Sequence, residues 1–296
     1  MKNKIIFIIN PIAGKGQGKL VESKIQQVFA NKNIDFSTVL TENAGHAITL
    51  AKQAILLNPT IIVACGGDGT INEVAQTLVG TDIALGIIPI GSGNGLAANL
   101  KIPKNIDLAI AGILNHSKTK IDVGKINENY FFSNMGLGID AAVIDNYSQT
   151  KKRNFLGYVT ASTKAMLQFK PKKFKIEIDQ NDAFDDAYYF VFCSNSNEAG
   201  YGISFSPNAK LNDGKLDFLV VKKLNILQQI QFSACVLGKC IEKMNRAKVV
   251  QVNNVKFKTD EPKTVAQVDG EAVIFEKNSI EVSIVPNALN IIVPNP

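Results

Sequence analysis

A glycine-rich segment between two apolar ones constrains the fold of this chain more than any other feature of its sequence. The apolar residues 61–64 are typical of a buried strand, and residues 71–79 have the pattern of a helix. The segment Gly66-Gly67-Asp68-Gly69-Thr70 joins them, and its three glycines allow a sharp turn and a close approach to a ligand. The N–H groups of such a turn bind phosphate, and a carboxylate beside phosphates, here Asp68, indicates a magnesium ion. In isolation the segment is also consistent with an ordinary turn whose Asp caps a helix.

Strand-like and helix-like segments alternate throughout the first 115 residues. The expected strands are residues 4–9, 35–40, 60–65 and 84–88, and the expected helices are residues 19–30, 46–57, 71–79 and 105–114. This alternation predicts a parallel sheet with helices on both faces. Glycine-rich loops at residues 10–18, 66–70 and 91–95 all follow strands. We therefore expect them to meet at the carboxyl edge of the sheet, where such sheets bind ligands.

Beyond about residue 120, short β-rich segments dominate, and helical patterns occur only near residues 155–169 and 225–243. This pattern predicts an antiparallel β-sandwich. The predicted fold class is therefore α/β with two domains, an α/β domain at residues 1–120 and a β-sandwich at residues 121–285. A final β-rich stretch, residues 286–296, is expected to complete the first domain.

The basic excess of the chain lies in one segment. The net charge is +6, whereas residues 151–175 contain eight Lys or Arg and no Asp or Glu. Four apolar residues there can share one helical face: Phe155, Val159, Met166 and Leu167. This pattern predicts a cationic amphipathic segment able to lie on an anionic membrane, with a solvated loop and a core-facing helix as the alternative. The charge is local and no nucleic-acid-binding motif accompanies it, so no nucleic-acid partner is expected.

Apolar runs and cysteines set further bounds. No apolar run is as long as the stretch of about 18 residues that a membrane-spanning helix needs. The apolar residues 5–9 are followed by Asn10-Pro11 rather than by a cleavage site for a signal peptide. The four cysteines show no paired spacing. These observations predict a protein of the reducing cytoplasm with free thiols.

The three glycine-rich loops together indicate a nucleotide site more strongly than any one of them. Asn10 and Lys15 supply a polar side chain and a mobile cation, and the central loop supplies N–H groups and Asp68. Ser92 and Asn94 add two hydrogen-bonding side chains on the third loop. Such a set of groups suits a nucleoside triphosphate with Mg²⁺.

Five motifs resemble those of the diacylglycerol and sphingosine kinase family of soluble lipid kinases. They are Asn10-Pro11 with Gly14, residues 66–73 (GGDGTINE), residues 91–94 (GSGN), residues 206–214 (SPNAKLNDG) and residues 268–271 (VDGE). The resemblance implies a nucleotide-binding domain related to that of NAD kinases, followed by a lipid-binding β-sandwich. It implies ATP as the phosphate donor, Mg²⁺ as the cofactor and a lipid hydroxyl as the acceptor.

The resemblance also implies which residues would bind metal and nucleotide. Asp213 would hold Mg²⁺ together with the backbone carbonyls of Lys210 and Lys215. Asp68 would contact the Mg²⁺ site through a water molecule, and it is one of the predicted catalytic residues. The expected ATP contacts, including those inferred from the loops themselves, are Asn10, Lys15, Thr41, Gly66, Gly67, Asp68, Gly69, Thr70, Ile71, Asn72, Ser92 and Asn94.

A carboxylate near the C-terminus is the expected base. The resemblance implies that Asp269 accepts the proton of the lipid hydroxyl, with Glu271 beside it. On sequence alone, Asp269-Gly270 and Asp213-Gly214 are also typical of hairpin turns. Their place among the other motifs favours the interpretation as functional residues.

One motif departs from the bacterial pattern. Bacterial members of this family usually carry an Asp after the Asn of the third loop, whereas Gly95 follows Asn94 here and the loop is more similar to that of sphingosine kinases. The sequence therefore leaves three candidates for the lipid acceptor: diacylglycerol, a related lipid or a sphingoid base. Asp140 is the candidate contact for the lipid headgroup, because a carboxylate would suit the amine of a sphingoid base.

The sequence therefore predicts a cytoplasmic, ATP-dependent lipid kinase that associates reversibly with the inner face of the membrane. An NAD kinase is one alternative, because the segment at residues 66–73 resembles that family too. A nucleotide- or lipid-binding regulator without catalysis is another. The expected partners are ATP and a lipid at the membrane surface, and a homodimer is one alternative for the oligomeric state.

Overall fold

The computed structural model describes residues 4–30, 32–148, 155–199 and 203–294. The chain forms two compact units, one of Met1–Ile121 with Asn287–Pro296 and the other of Asp122–Pro286. No helix among the described residues has both the length and the hydropathy needed to cross a membrane.

The first unit contains a parallel sheet of five strands: β1 (Lys4–Ile9), β2 (Asp35–Leu40), β3 (Ile61–Gly66), β4 (Ala84–Pro89) and the end of β15 (Ser279–Pro294). Their order in the sheet is β2-β1-β3-β4-β15. Its helices are α1 (Ala13–Gly16), α2 (Gly18–Phe29), α3 (His46–Ile55), α4 (Asp68–Leu78), α5 (Gly95–Asn99) and α6 (Ile106–Leu114). The predicted alternation of strands and helices is confirmed, and so is the parallel direction of the strands.

Both faces of this sheet are covered, which explains why residues 5–9 of β1 and the strands β3 and β4 contain no charged residue. On β1, Ile5, Phe7 and Ile9 point to one face, where they pack against α2 and α6. The ring of Phe7 lies 5.2 Å from the ring of Phe29 on α2. All residues of β3 and β4 are buried. The sheet is therefore a rigid base for the loops at its carboxyl edge.

Helix α4 begins earlier than the sequence predicts. Its first residue is Asp68 rather than Ile71, so Asp68, Gly69 and Thr70 form its first turn. Gly67 precedes the helix in an extended conformation, and its carbonyl accepts the N–H of Ile71 at 3.0 Å. The glycine-rich segment is therefore a strand-to-helix junction, and the first N–H groups of a helix have no partner within the helix itself.

The second unit is built mainly of antiparallel strands, as the sequence predicts. Its strands are the end of β5 (His116–Ile126), then β6 (Asn129–Phe131), β7 (Asn134–Gly138), β8 (Lys172–Ile178), β9 (Asn181–Ser194), β10 (Leu216–Lys222), β11 (Ala247–Val252), β12 (Asn254–Lys258), β13 (Thr264–Val268), β14 (Glu271–Phe275) and the start of β15. Its helices are α7 (Ile139–Ser148), α8 (Phe155–Gln168) and α9 (Ile226–Leu237), with a 3₁₀ turn at Ile241–Lys243.

Strands β9 and β10 separate two apolar cores in this unit. Phe218 and Val220 face a core shared with the other strands, whereas Leu219 and Val221 face a core that α7, α8 and α9 cover. Side chains alternate in this way because successive residues of a strand point to opposite faces. Helix α7 was not predicted from the sequence, since no Ser, Thr, Asn or Asp precedes Ile139 as a capping signal.

Two of the four apolar residues expected to share one face of helix α8 differ in exposure. Val159 is 44% exposed, whereas Met166 packs against the apolar core and contacts the hydroxyl of Ser233 on α9. Met166 therefore agrees with the alternative of a core-facing helix, and the amphipathic membrane-binding segment stays a prediction. The described part of the chain leaves out the side chains of Phe155 and Leu167 and all of residues 151–154.

Candidate active site

The first loop follows β1 and is fixed to the second loop by Asn10. The amide Nδ2 of Asn10 donates to the hydroxyl of Thr70 at 3.2 Å, and its Oδ1 accepts the N–H of Ile12 at 3.1 Å. Residues 14–16 then have φ angles of 59°, 61° and 91°. Lys15, exposed between two glycines, is thus held in a left-handed conformation that non-glycine residues rarely adopt.

Asp68 joins the second loop to the third. Its Oδ2 accepts the N–H of Asn94 at 2.8 Å, and its Oδ1 accepts the N–H of Gly95 at 2.9 Å. Because Gly95 is the first residue of α5, the carboxylate of Asp68 caps that helix from the first turn of α4. Asp68 therefore positions the third loop, and the catalytic and metal-linked role predicted for it stays a prediction.

Glycine is required where the second and third loops cross. A Cβ atom on Gly91 would lie 2.5 Å from the Cα of Gly67, and one on Gly93 would lie 2.6 Å from Oδ2 of Asp68. Neither distance is compatible with a side chain, so the two loops contact each other through their backbones. This edge of the sheet is therefore built from backbone groups, which suits the binding of phosphate.

Asn94 is turned inward rather than toward a ligand. It is 1% exposed with a φ of 55°, and its Nδ2 donates to the carbonyl of Gly91 at 2.6 Å. Its Oδ1 is buried and has no hydrogen-bond partner among the described residues. The side chain thus stabilises the third loop from within.

The remaining predicted ATP contacts differ in what they can offer a ligand. Ser92 is exposed on the third loop, and Thr41 is buried directly after β2. Asn72 hydrogen-bonds to Gln76 one turn along α4. Ile71 is 3% exposed and its N–H is already bonded within the junction, so it offers a ligand neither its side chain nor its N–H. We therefore assign Ile71 to the core of the first unit.

Glu73 has a structural function that was not predicted from the sequence. Its Oε1 accepts the N–H of Gly45 at 2.9 Å, and its Oε2 accepts the N–H of Ala47 at 3.1 Å. The carboxylate thus caps the N-terminus of α3 and fixes the segment that follows Thr41. The only sequence feature that points to this function is the position of Glu73 at the end of the GGDGTINE segment.

Asp269 lies in a two-residue hairpin turn between β13 and β14. Asp269 and Gly270 have φ angles of 47° and 86°, as a type I′ turn requires. The carboxylate reaches across to another turn: its Oδ2 accepts the N–H of Phe132 at 2.8 Å, and its Oδ1 accepts those of Ser133 and Asn134 at 2.8 and 3.1 Å. The structure therefore combines a hairpin turn with a carboxylate whose orientation is fixed by three backbone donors.

Asn195 is a buried residue that sequence reasoning missed. Its Nδ2 donates to the carbonyl of Phe132 at 3.0 Å and to the carbonyl of Asp122 at 2.8 Å. The first of these carbonyls lies in the backbone that holds Asp269. The carboxylate of Asp122 in turn accepts an N–H from the Asp213 turn at 2.6 Å. Asn195 thus links the two segments of this unit that carry the predicted acids, and a lone Asn at the end of a strand gives no sequence signal for this role.

Asp213 lies in an exposed turn whose backbone is fixed from the interior. The N–H of Gly214, which has a φ of 70°, donates to Oδ2 of Asp122, and the N–H of Asp122 donates to the carbonyl of Leu211 at 2.7 Å. Oδ1 of Asp213 accepts the N–H of Lys215 at 3.1 Å. The carboxylate of Asp213 is therefore presented at the surface by a well-held turn.

Negative charge accumulates near this turn. Burial raises the pKa of Asp217, and the charge of Asp213 raises it further, although a hydrogen bond from Gln251 opposes both. Among the described residues, no three Asp, Glu, His or Cys side chains converge as metal ligands. A cation held here would therefore need backbone carbonyls besides Asp213, as predicted for Lys210 and Lys215.

Two predicted residues of this unit differ sharply in exposure. Glu271 is exposed at the first position of β14. Asp140 is 6% exposed in the first turn of α7, and its Oδ2 has no hydrogen-bond partner among the described residues. That oxygen would lie 2.2 Å from a Cβ on Gly136, which explains the glycine there. Burial raises the pKa of Asp140 to about 7, and its role as a headgroup contact stays a prediction.

Comparison with known proteins places the two units in known families. The diacylglycerol kinase catalytic domain matches residues 4–126, and the YegS C-terminal NAD kinase beta sandwich-like domain matches residues 133–293. A diacylglycerol kinase of Bacillus subtilis (strain 168) is 31% identical over 272 residues, which cover 90% of this chain and 88% of that protein. A diacylglycerol kinase of Staphylococcus aureus (strain MRSA252) is 30% identical over 233 residues, which cover 77% of this chain and 73% of that protein.

Solved structures agree with this assignment. The crystal structure of a diacylglycerol kinase from Bacillus anthracis str. Sterne has a TM-score of 0.76 and 25% identity, and the match covers 99% of this chain and 97% of that one. An NAD kinase from Archaeoglobus fulgidus, solved in complex with ATP, has a TM-score of 0.53 and 12% identity, which shows a shared fold alone. The chain therefore belongs to the diacylglycerol kinase family, and it is an ATP-dependent lipid kinase.

Proposed function

We propose that this protein transfers the γ-phosphate of ATP to a hydroxyl of diacylglycerol. The observation that carries the proposal is the carboxylate of Asp269, which three backbone N–H groups hold in one orientation. A general base has to be held in a defined position to accept a proton during the reaction. The names of its relatives in Bacillus and Staphylococcus support diacylglycerol as the acceptor.

The first unit would bind the nucleotide through its backbone-built loops. The first turn of α4, from Asp68 to Thr70, provides N–H groups at a helix N-terminus, where phosphate binds favourably. Lys15 is exposed on the neighbouring loop and would neutralise phosphate charge. Polar side chains for the nucleotide would come from Asn10, Thr41, Asn72 and Ser92. Asn94 would contribute indirectly, by stabilising the third loop.

The proposed reaction is an in-line displacement. The hydroxyl oxygen of the lipid attacks the γ-phosphorus while its proton passes to the carboxylate of Asp269. The bond between the γ-phosphorus and the bridging oxygen breaks, so that ADP leaves with that oxygen. Glu271, two residues beyond Asp269 and exposed at the first position of β14, is proposed to act beside the base.

We propose Mg²⁺ as the cofactor and Asp213 as its side-chain ligand. The residues present fit this ion, since the donors are a carboxylate and the carbonyls of Lys210 and Lys215, and Mg²⁺ prefers oxygen ligands. When bound, the metal would supply charge neutralisation for the phosphates.

The acceptor site is proposed to include Asp140. With a pKa near 7, this carboxyl is partly protonated at neutral pH and could donate a hydrogen bond to an ester carbonyl of diacylglycerol. The amine of a sphingoid base would instead favour its ionised form. Burial of an unpaired oxygen on Asp140 is the specific observation that keeps the sphingoid base as a second candidate acceptor.

Membrane association and assembly are proposed from the sequence. The basic residues of 151–175 would attract an anionic membrane on its inner face, where the lipid substrate lies. A homodimer is the proposed alternative to a monomer, and sedimentation velocity distinguishes the two.

The decisive experiment is mass spectrometry of the products formed from ATP and a total lipid extract. We expect a mass increase of one phosphate on diacylglycerol, in a reaction that depends on Mg²⁺. Phosphorylation of sphingoid bases alone would assign the second candidate acceptor. Phosphorylation of added NAD without any lipid product would contradict the proposal.

A further inference from the structure

Helix α9 presents an exposed apolar face at the surface of the second unit. Leu227 is 73% exposed, Ile230 is 60% exposed and Leu237 is 77% exposed. Together with the exposed Ala234, these residues are spaced as one stripe along the helix. Ile226, 58% exposed, widens the stripe at its N-terminal end. Contiguous apolar surface of this kind marks an interaction site in a folded protein.

The exposed stripe belongs to a well-anchored helix. Asn225 caps its N-terminus in a reciprocal capping box with Gln228. On the opposite side, Phe232 is buried and its ring lies 5.8 Å from that of Tyr189 and 5.4 Å from that of Phe190. The inward face is thus occupied by the core, and the outward apolar residues have no role in holding the helix in place.

Positive charge flanks the stripe at both ends. The helix itself contains no charged residue, whereas residues 222–248 contain six Lys or Arg and one Glu, a net charge of 6 − 1 = +5. Lys223 precedes the helix, and Lys239 and Lys243 follow it; all three are exposed and form no ion pair with the residues that the structure describes. An apolar helix face with cationic ends is typical of helices that lie in the interface of an anionic bilayer.

We propose that the outward face of α9, with Lys223, Lys239 and Lys243, is a surface through which this protein docks on an anionic phospholipid bilayer, in addition to the basic residues of 151–175. The apolar stripe would enter the boundary between headgroups and acyl chains, and the lysines would contact lipid phosphates. The inference rests on the proposed function, since a kinase acting on a membrane lipid has to reach the bilayer. A second copy of the chain fits less well, because a two-fold interface on this face would bring the same lysines together.

The test compares two matched double variants in co-sedimentation with vesicles. Leu227→Gln with Ile230→Gln removes the centre of the stripe without changing charge. Leu56→Gln with Leu57→Gln is the control, because those side chains are 79% and 56% exposed in the first unit. With vesicles of phosphatidylcholine and phosphatidylglycerol, we expect the first variant to lose about tenfold or more in binding and the control to match the unchanged protein.

A second pair of variants tests the charges. Lys239→Gln with Lys243→Gln should weaken binding to the anionic vesicles several-fold, and Lys52→Gln with Lys104→Gln should not. Binding of the unchanged protein should fall as salt rises and should be weaker on phosphatidylcholine alone, because the attraction is partly electrostatic.

The activity assay separates this inference from the proposed function. Phosphorylation of diacylglycerol in vesicles should fall in the Leu227→Gln, Ile230→Gln variant, whereas phosphorylation of a short-chain diacylglycerol dispersed as monomers should not change. If no diacylglycerol is phosphorylated at all, the proposed function fails while vesicle binding still tests the docking surface. The docking proposal is overturned if this variant binds anionic vesicles as well as the control does. It is also overturned if sedimentation velocity shows a dimer that only this variant dissociates.

Discussion

The two units of this kinase bring their functional groups together in different ways. In the first unit, loops that follow neighbouring strands contact each other through glycine backbones, with the carboxylate of Asp68 between them. In the second unit, side chains hold the segments together: the amide of Asn195 donates to two carbonyls, and the carboxylate of Asp269 accepts three backbone N–H groups. A site made of backbone is sensitive to added volume, whereas a site made of buried side chains is sensitive to lost hydrogen bonds.

The largest effect is expected at Asp269. In Asp269→Asn the one amide oxygen can still accept the N–H groups of Ser133 and Asn134, but the N–H of Phe132 loses its acceptor, and the charge and the capacity to accept a proton are lost. We expect kcat to fall by about 10²–10⁴-fold, as for a general base, and the stability of the protein to fall by about 1–3 kcal/mol, as for one unsatisfied backbone N–H group. Steady-state kinetics with ATP and diacylglycerol, together with differential scanning calorimetry, measure both quantities.

Asp179 provides a matched control for this prediction. It also begins a hairpin turn with two positive φ angles, 46° at Asp179 and 70° at Gln180, and its Oδ1 accepts the N–H groups of Asn253 and Asn254. Asp179→Asn should leave kcat unchanged. Equal losses of activity in the two variants would show that turn geometry, rather than proton transfer, explains the effect.

The same contrast explains what could be predicted from the sequence. Glycine-rich loops after strands are local patterns, so the parallel sheet and the meeting of the three loops followed from them. The network around Asn195 joins Phe132 and Asp122, which lie 63 and 73 residues away in the chain. Such contacts arise only from tertiary packing and leave no periodic signal. Ile71 was expected at the ligand because it lies within the motif at residues 66–73, whereas its side chain is buried in the core of the first unit.

The second effect concerns pH and the buried carboxyl of Asp140. Its pKa is raised by burial from 3.8 to about 7 in the folded protein, so the folded state binds a proton that the unfolded state releases between about pH 4 and 7. Stability should therefore fall as pH rises through this range, by up to about 4 kcal/mol. Thermal unfolding measured from pH 4 to 8 checks this slope.

Removal of the titrating group should remove that slope. In Asp140→Asn we expect stability to depend less on pH between 4 and 7, with a gain relative to the unchanged protein at pH 8. Asp145→Asn is the control, since Asp145 is exposed on the same helix. A pH slope that persists in Asp140→Asn would assign it to another group.

The third effect tests the side-chain network of the second unit. Asn195→Ala leaves the carbonyls of Phe132 and Asp122 without their amide donor, which should destabilise this unit by about 2–3 kcal/mol. Hydrogen exchange at the N–H groups of Asn134 and Gly214 should become faster together, because both turns lose their support. Faster exchange at only one of the two turns would show that Asn195 does not link them.

Asn290 offers a comparison in the first unit. It is 6% exposed, and its Nδ2 donates to the carbonyl of Thr81 at 2.8 Å. Asn290→Ala should cost stability through one lost hydrogen bond, while the exchange rates at Asn134 and Gly214 stay unchanged. If exchange at Asn134 and Gly214 became as fast in Asn290→Ala as in Asn195→Ala, the effect of Asn195 would be general destabilisation.

The smallest effect tests the backbone-built loops of the first unit. A methyl group on Gly91 would lie 2.5 Å from the Cα of Gly67, a backbone atom, so Gly91→Ala should push the second and third loops apart. Overpacking of this size costs about 1–2 kcal/mol, and we expect the KM for ATP to rise about tenfold while the KM for lipid is unchanged. Gly112→Ala is the control, because the nearest atom to an added methyl there, on Pro294, is 3.8 Å away.

The central claim is that this chain phosphorylates a lipid rather than a nucleotide. The most direct measurement supplies γ-labelled ATP and Mg²⁺ together with diacylglycerol vesicles and NAD in one reaction, and then separates lipid from aqueous products. We expect the label in the lipid fraction for the unchanged protein and its near absence for Asp269→Asn. Label in the NAD fraction, or lipid labelling that Asp269→Asn leaves intact, would contradict the account.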